Sequence, residues 1–338
     1  MVQLTLVRFR EFIREPEAVF WTFVFPILLA AGLGIAFRQR GPDKIAIGVI
    51  GSGATAEALK KDSTLIVRTL DDSSGARALR TGKIALLVVP TSKPDSVRYI
   101  YDRGRSDAVN ARVVVDRAVQ IAAGRADPVR AADTYITEKG SRYIDFLVPG
   151  LLGMNLMGSS IWGLGFAIVT ARSKKLLKRL MATPMSRVQY LLSFLASRLV
   201  FLILEVVTLL GFGALAFGVP LRGSLVTLLV ICFLGAISFG GLGLLTASRA
   251  RTTEAVSGIM NFIMLPMWIF SGVFFSSENF PAAVQPFIKV LPLTALNDAL
   301  RANMLEGASF ASVSPQLLII LVWGLVTFVA ALKLFRWR

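Results

Sequence analysis

Two ionisable residues stand where water is scarce. Glu205 falls near the middle of the apolar run 188–218, and Arg198 precedes it by seven residues. A carboxylate at mid-bilayer depth costs about 2.5–3.5 kcal/mol on insertion scales, so such a residue is a functional candidate by default. Seven residues make about 10.5 Å of helix and nearly two whole turns, which puts both side chains on one face. That is long for a direct pair within one helix. Arg198 is expected to snorkel toward the membrane surface, leaving Glu205 to a partner on another helix or to a hydrated cavity. Two roles stay open for Glu205: a hydrogen-bonding tie between helices, or a charge lining a transport path. Asn155 and Asn261 lie in two other apolar runs, where an amide either joins helices or lines the path.

Other chemistries drop out by composition. The chain has no histidine and one cysteine, Cys232, inside an apolar run. Zinc and iron–sulfur sites and His-based catalysis therefore lack their ligands, and no internal disulfide can form. No Gly-x-x-x-x-Gly-Lys-Ser/Thr phosphate loop occurs; Gly51-Ser-Gly-Ala-Thr is a turn after a strand, without the lysine that reaches the β/γ-phosphates. The chain is expected to carry no metal, no cofactor and no catalytic residue of its own.

The elements that must position Glu205 are membrane spans. Of 338 residues, 54% are hydrophobic and 17% charged, against about 25% charged in an ordinary soluble domain. Residues 1–17 pattern as an amphipathic interfacial helix, with Val2, Leu6, Phe9 and Ile13 opposite Arg8, Arg10 and Arg14. Residues 18–37 form a first span and not a signal peptide, because the run is long and ends in Phe37-Arg-Gln-Arg40 without a small-residue cleavage site. Residues 38–143 turn soluble, with 19 basic and 12 acidic residues. Strand-like runs at 45–50, 84–89 and 97–101 and helical patterning at 55–61, 73–80 and 107–123 predict a small α/β domain. Five further spans follow at 144–171, 188–218, 224–247, 255–275 and 315–335, each long enough for a core of about 30 Å. Pro281, Pro286 and Pro292 break the segment 276–314 into an interfacial or re-entrant hairpin. Small residues four apart, Gly32 and Ala36, Ala214 and Gly218, Ala236 and Gly240, are candidate points of close helix approach.

Much of the formal charge of +16 sits in short segments flanking the apolar runs, and no nucleic-acid motif accompanies it. With the N-terminus inside, short inside segments hold 14 Lys and Arg, and short outside ones hold only Arg222, Lys289 and Arg301. The positive-inside rule then puts both termini in the cytoplasm and domain 38–143 outside a plasma (inner) membrane.

The densest basic stretch lies at 172–187. Leu176, Leu177, Leu180 and Met181 make an apolar helical stripe flanked by Lys174, Lys175, Lys178 and Arg179, and Pro184 ends it. The pattern suits an anchor to anionic lipid as well as a coupling helix docked on an ATPase. Lys178-Arg-Leu-Met-Ala-Thr-Pro184, Phe270-Ser-Gly-Val-Phe-Phe275, Asn279-Phe-Pro281 and Leu291-Pro-Leu-Thr294 running into Asp298-Ala-Leu-Arg301 occur in that order around the six spans. This arrangement resembles the type-2 ABC exporter permeases over essentially the whole chain. The resemblance implies a dimer of permeases, each bound through the loop between spans two and three to a nucleotide-binding subunit that carries ATP and Mg. It makes Lys174, Leu176, Leu177, Lys178, Leu180 and Met181 the coupling residues, and gives Asp298 and Arg301, a possible pair at three-residue spacing, an outer-gate role. Arg172-Ser-Lys-Lys175 is wholly basic where family members often carry acidic residues.

The expected protein is thus a helical polytopic permease that moves an amphipathic substrate outward with a partner's ATP hydrolysis. A secondary transporter or ion channel using Glu205, and a membrane-anchored binding or signalling protein built around domain 38–143, are the alternatives.

Overall fold

A computed structural model describes residues 9–10, 12–37, 44–91, 96–125, 140, 142–173, 187–250 and 252–334. The chain divides into two compact units, Met1–Arg38 with Thr137–Arg338, and Gln39–Ile136.

In the second unit, apolar β1 (Ile45–Ile50) lies between parallel neighbours β2 (Leu65–Leu70) and β3 (Leu86–Pro90), and β4 (Val97–Ile100) pairs antiparallel with β3. Helices α2 (Ala54–Lys60), α3 (Asp72–Arg80) and α4 (Ser106–Ala122) connect and flank the strands. Strand β2 went unmarked in the sequence, because Arg68 and Thr69 interrupt its apolar run. Asp71 fixes the start of α3 through a capping box with Ser74. The hydroxyls of Ser73 and Ser74 hold its carboxyl well below the usual carboxylate range. Ile47, Val49, Leu59, Leu86, Val88, Ala111 and Val115 form this unit's core.

The first unit is helical, and six of its helices are long and apolar enough to cross a membrane: α1 (Pro16–Ala36), α5 (Tyr143–Ser173), α6 (Arg187–Phe217), α7 (Leu225–Ala247), α8 (Thr253–Phe270) and α11 (Ser314–Leu334). Of the expected interfacial helix, residues 1–8 and 11 lie outside the described residues, while 9–10 and 12–14 are helical. Helix α8 stops at Phe270, five residues short of the expected 275, because Gly272 turns the chain with φ +69°. The segment after it holds α9 (Gln285–Val290) and α10 (Pro292–Arg301), each with a proline in its first turn.

Helix α7 is the centre of the bundle, packed on α5 and α11, and buries Leu228, Ile231, Cys232, Phe239 and Leu242. Its glycines admit the neighbours: a Cβ at Gly243 would lie 2.7 Å from the Ile161 carbonyl oxygen of α5, and one at Gly241 would lie 2.5 Å from Thr327 Oγ1 of α11. Of the expected positions, Gly240 is a close approach, where a Cβ would lie 2.8 Å from Leu164 Cδ1 of α5, whereas Gly32 faces open space.

Gly243→Ala is expected to force α7 and α5 apart, costing about 1–3 kcal/mol and lowering the melting temperature in detergent by about 3–10 °C. Gly163→Ala, where the added carbon meets no neighbouring helix within 4 Å, is expected not to lower the melting temperature. Equal stability of both variants in a thermal scan would contradict the packing.

Candidate functional site

Glu205 is fully buried on α6 and is answered from its own helix as well as from α5. Arg198 Nη1 donates to Glu205 Oε1 at 2.9 Å and Nη2 to Oε2 at 3.2 Å, while Ser159 Oγ of α5 donates to Oε2 at 2.9 Å. Arg198 Nη2 also donates to Ser159 Oγ at 2.6 Å. A partner on another helix, Ser159, is present as expected, but the direct pair within α6, which the spacing made look long, forms as well. Helical side chains lean toward the N-terminus, so Glu205 reaches back while the long Arg198 side chain reaches forward, and together they span two turns. The arginine turns inward to its counter-ion and does not snorkel away.

The network extends into α1. Pro26 has no N–H to offer the Thr22 carbonyl four residues earlier, and the helix loosens into a π turn over Phe20–Val24. Asn155 Nδ2, one turn before Ser159 on α5, donates to that carbonyl at 3.0 Å. Ser159 Oγ lies 2.7 Å from the Asn155 carbonyl oxygen. Thr22, Asn155, Ser159, Glu205 and Arg198 thus stitch α1, α5 and α6 together. Chemically the cluster is an ion pair that holds helices, and among the described residues no group of three or more metal-ligating side chains occurs.

Residues 9, 12 and 13, with α1 and α6, frame an apolar groove of about 560 Å³, lined by Phe9, Phe12, Phe20, Phe23, Phe201 and Thr208 among others. Phe12 and Phe201 lie 4.4 Å apart between ring centroids.

A second polar cluster surrounds the turn after α8. Asn297 Nδ2 donates to the Ser271 carbonyl at 2.8 Å, Arg301 Nη2 donates to the Gly272 carbonyl, and Tyr143 Oη donates to the Phe274 carbonyl at 2.9 Å. Arg301 also reaches the Phe146 carbonyl at 3.3 Å and stacks 3.7 Å over the Phe146 ring. Asp298 Oδ1 is 4.0 Å from the Arg301 guanidinium, so the carboxylate is the weaker of its partners and the backbone the stronger. Burial draws the guanidinium down to about 10, with Asp298 opposing the shift; it remains a cation at neutral pH. Asn297 Oδ1 packs against Gly153, where a Cβ would come within 2.0 Å.

Asn261 sits apart from both clusters, exposed on α8 beside Phe262 and Leu265 and without a side-chain hydrogen bond among the described residues. Lys174, Leu176, Leu177, Lys178, Leu180 and Met181 lie outside the described residues. Sequence reasoning missed Ser159, Tyr143, Asn297 and the pair Arg142–Asp145. Asp145 is fully buried at the start of α5, accepting from Arg142 Nε at 2.9 Å, Arg142 Nη2 at 2.8 Å and the Gly140 amide at 2.8 Å. A lone acidic residue at the edge of an apolar run, three after an arginine, was the available signal.

Residues 17–333 match the family described as ABC-2 family transporter protein. The inner membrane transport permease YhhJ of Escherichia coli (strain K12) is 25% identical over 173 residues, 51% of this chain and 46% of that protein. The "Probable multidrug ABC transporter permease YbhR" of the same organism is 28% identical over 198 residues, 56% of this chain and 52% of that protein. The chain spans about half the length of these two relatives. "Probable multidrug ABC transporter permease YbhS", also from E. coli K12, is 23% identical over 328 residues, 88% of this chain and 86% of that protein.

Breaking a buried ion pair from one side strands the other charge, whereas replacing both partners with apolar groups is close to neutral. Glu205→Leu alone is expected to cost about 3–5 kcal/mol, and Arg198→Met with Glu205→Leu to restore most of that loss. Thermal unfolding of the parent, Glu205→Leu, Arg198→Met and the double variant in one detergent checks the cycle, and strictly additive losses would contradict the pairing.

Proposed function

The chain belongs to the ABC-2 transporter family, and we propose that it is the membrane-spanning permease of an exporter driven by a separate nucleotide-binding subunit. The observation that carries this proposal is a transporter-sized bundle with a charged network buried across three spans, in a sequence with no phosphate loop. ATP and Mg are then held by the partner, which docks through the apolar stripe Leu176, Leu177, Leu180 and Met181 and its basic flank.

The charge bias of the short connections supports cytoplasmic termini, a cytoplasmic 172–187 loop and an extracytoplasmic domain 38–143. A second permease copy accounts for Asn261: an unpartnered amide facing lipid is costly, and the small Gly258 on the same exposed side of α8 lets a second helix come near. Asn155, Arg198 and Glu205 hold the first three spans together beside the path. Asp298 and Arg301 set the turn after α8 as its outer gate. The aromatic groove between α1 and α6 suits the hydrocarbon part of an amphipathic substrate, in keeping with the word "multidrug" in the names of two relatives. An ion-coupled carrier would need Glu205 free to take a proton or cation. Its bidentate pairing with Arg198 weighs against that.

Two experiments test this function. Affinity purification of the tagged chain is expected to recover a Walker-motif ATPase, and Leu177→Asp with Leu180→Asp to lose it several-fold while the permease stays folded; unchanged recovery would remove the coupling role. Ser73→Cys or Ser106→Cys in a Cys232→Ser background is expected to react with an impermeant thiol reagent on intact cells. Labelling only after lysis would reverse the topology.

A further inference from the structure

Arg172 occupies the last turn of α5, two residues before the segment 174–186, and its side chain reaches the end of α7 and the turn that follows it. Nη1 donates to the Ala247 carbonyl at 2.9 Å and to the Ala250 carbonyl at 2.7 Å, and Nη2 points to the Ser248 carbonyl at 3.4 Å. Ala247 is the last residue of α7, and Ser248 and Ala250 belong to the short turn before α8, whose N-cap is Thr252. The end of a helix leaves up to four carbonyls unpaired and carries partial negative charge, so a guanidinium fork fits there both as donor and as cation. Arg172 thereby joins α5 to the α7–α8 turn.

The two elements it joins differ in how firmly they are held. Helix α7 is packed on both sides in the middle of the bundle, whereas α8 buries only Val256, Met260, Met264 and Met267. A displacement of the last turn of α5 carries the guanidinium with it and pulls on the start of a helix that buries only four side chains. The opposite, exposed side of that helix holds Asn261.

We propose that Arg172 is a positioning residue that transmits movement of the 174–186 loop into α8, and hence into the contact between permease copies. This rests on the proposal that the loop meets the ATPase. Lysine keeps the charge but has no planar fork to bridge several carbonyls, and methionine keeps part of the stem while removing every donor. Three carbonyls at a helix end are readily taken up by water or by a tightened last turn, so loss of the fork need not unfold the bundle.

The test uses Arg172→Lys and Arg172→Met with two kinds of readout. In the permease alone in nanodiscs, Arg172→Met is expected to speed amide exchange at residues 248–253 by about tenfold, the scale of losing hydrogen bonds to a charged group. Arg172→Lys is expected to fall between Arg172→Met and the parent. In the complex with the ATPase, Arg172→Met is expected to bind the motor normally and hydrolyse ATP, but to move several-fold less of an amphipathic dye per ATP, with partial recovery in Arg172→Lys. Unchanged amide exchange would overturn the tie. Faster exchange with unchanged dye movement per ATP would leave Arg172 a structural cap and overturn its transmitting role. If Leu177→Asp with Leu180→Asp retains the motor, the docking proposal fails, and that result is distinguishable because the exchange measurement involves no partner.

Discussion

A carboxylate in the middle of an apolar bundle must be answered by its neighbours, because the bilayer supplies no water to answer it. Glu205 is answered by Arg198 and Ser159, and these contacts fix how α6 lies against α5. The same rule governs backbone groups: Pro26 denies the Thr22 carbonyl a donor, and Asn155 supplies one from α5. One requirement, that no polar group be left alone, therefore joins three spans whose apolar faces have little preference for each other over lipid.

The same logic operates at the ends of the helices with a different chemistry. Arg172 and Arg301 each direct a guanidinium at the carbonyls of a turn, one leading into α8 and one leaving it. Helix α8 is thus defined at both ends by arginines from other elements, while its middle buries few side chains. The central α7 is the contrast, held by close approaches at Gly241 and Gly243 and by a continuous apolar surface. A bundle with one fixed helix and one helix pinned chiefly at its ends has a built-in place to move.

The lengths of the apolar runs made the six helices that are long and apolar enough to cross a membrane legible, because about 20 apolar residues have few other uses. The lone acidic residue in a span marked Glu205 for the same reason. Its direct partner was not legible, since axial spacing alone ignores that one side chain leans back and the other reaches forward. The end of α8 depended on the conformation of Gly272, which looks in sequence like any glycine beside aromatics. Tyr143 and Asn297 act on carbonyls more than 25 residues away, and no local pattern encodes such a contact. The small-residue spacing marked Gly240 of α7, which does meet Leu164 of α5, but not the equally close Gly241 and Gly243, whose facing sides depend on the positions of α5 and α11.

The central claim is that this chain moves its substrate only when a separate ATPase drives it. Purified protein in proteoliposomes, tested with a panel of amphipathic dyes, measures that directly. Dye movement is expected only when the nucleotide-binding subunit and ATP-Mg are both present, and is expected to be unaffected by an imposed proton or sodium gradient. Equal movement by the chain alone under an ion gradient, without ATPase or ATP, would contradict the claim and make Glu205 the site of an ion-coupled carrier.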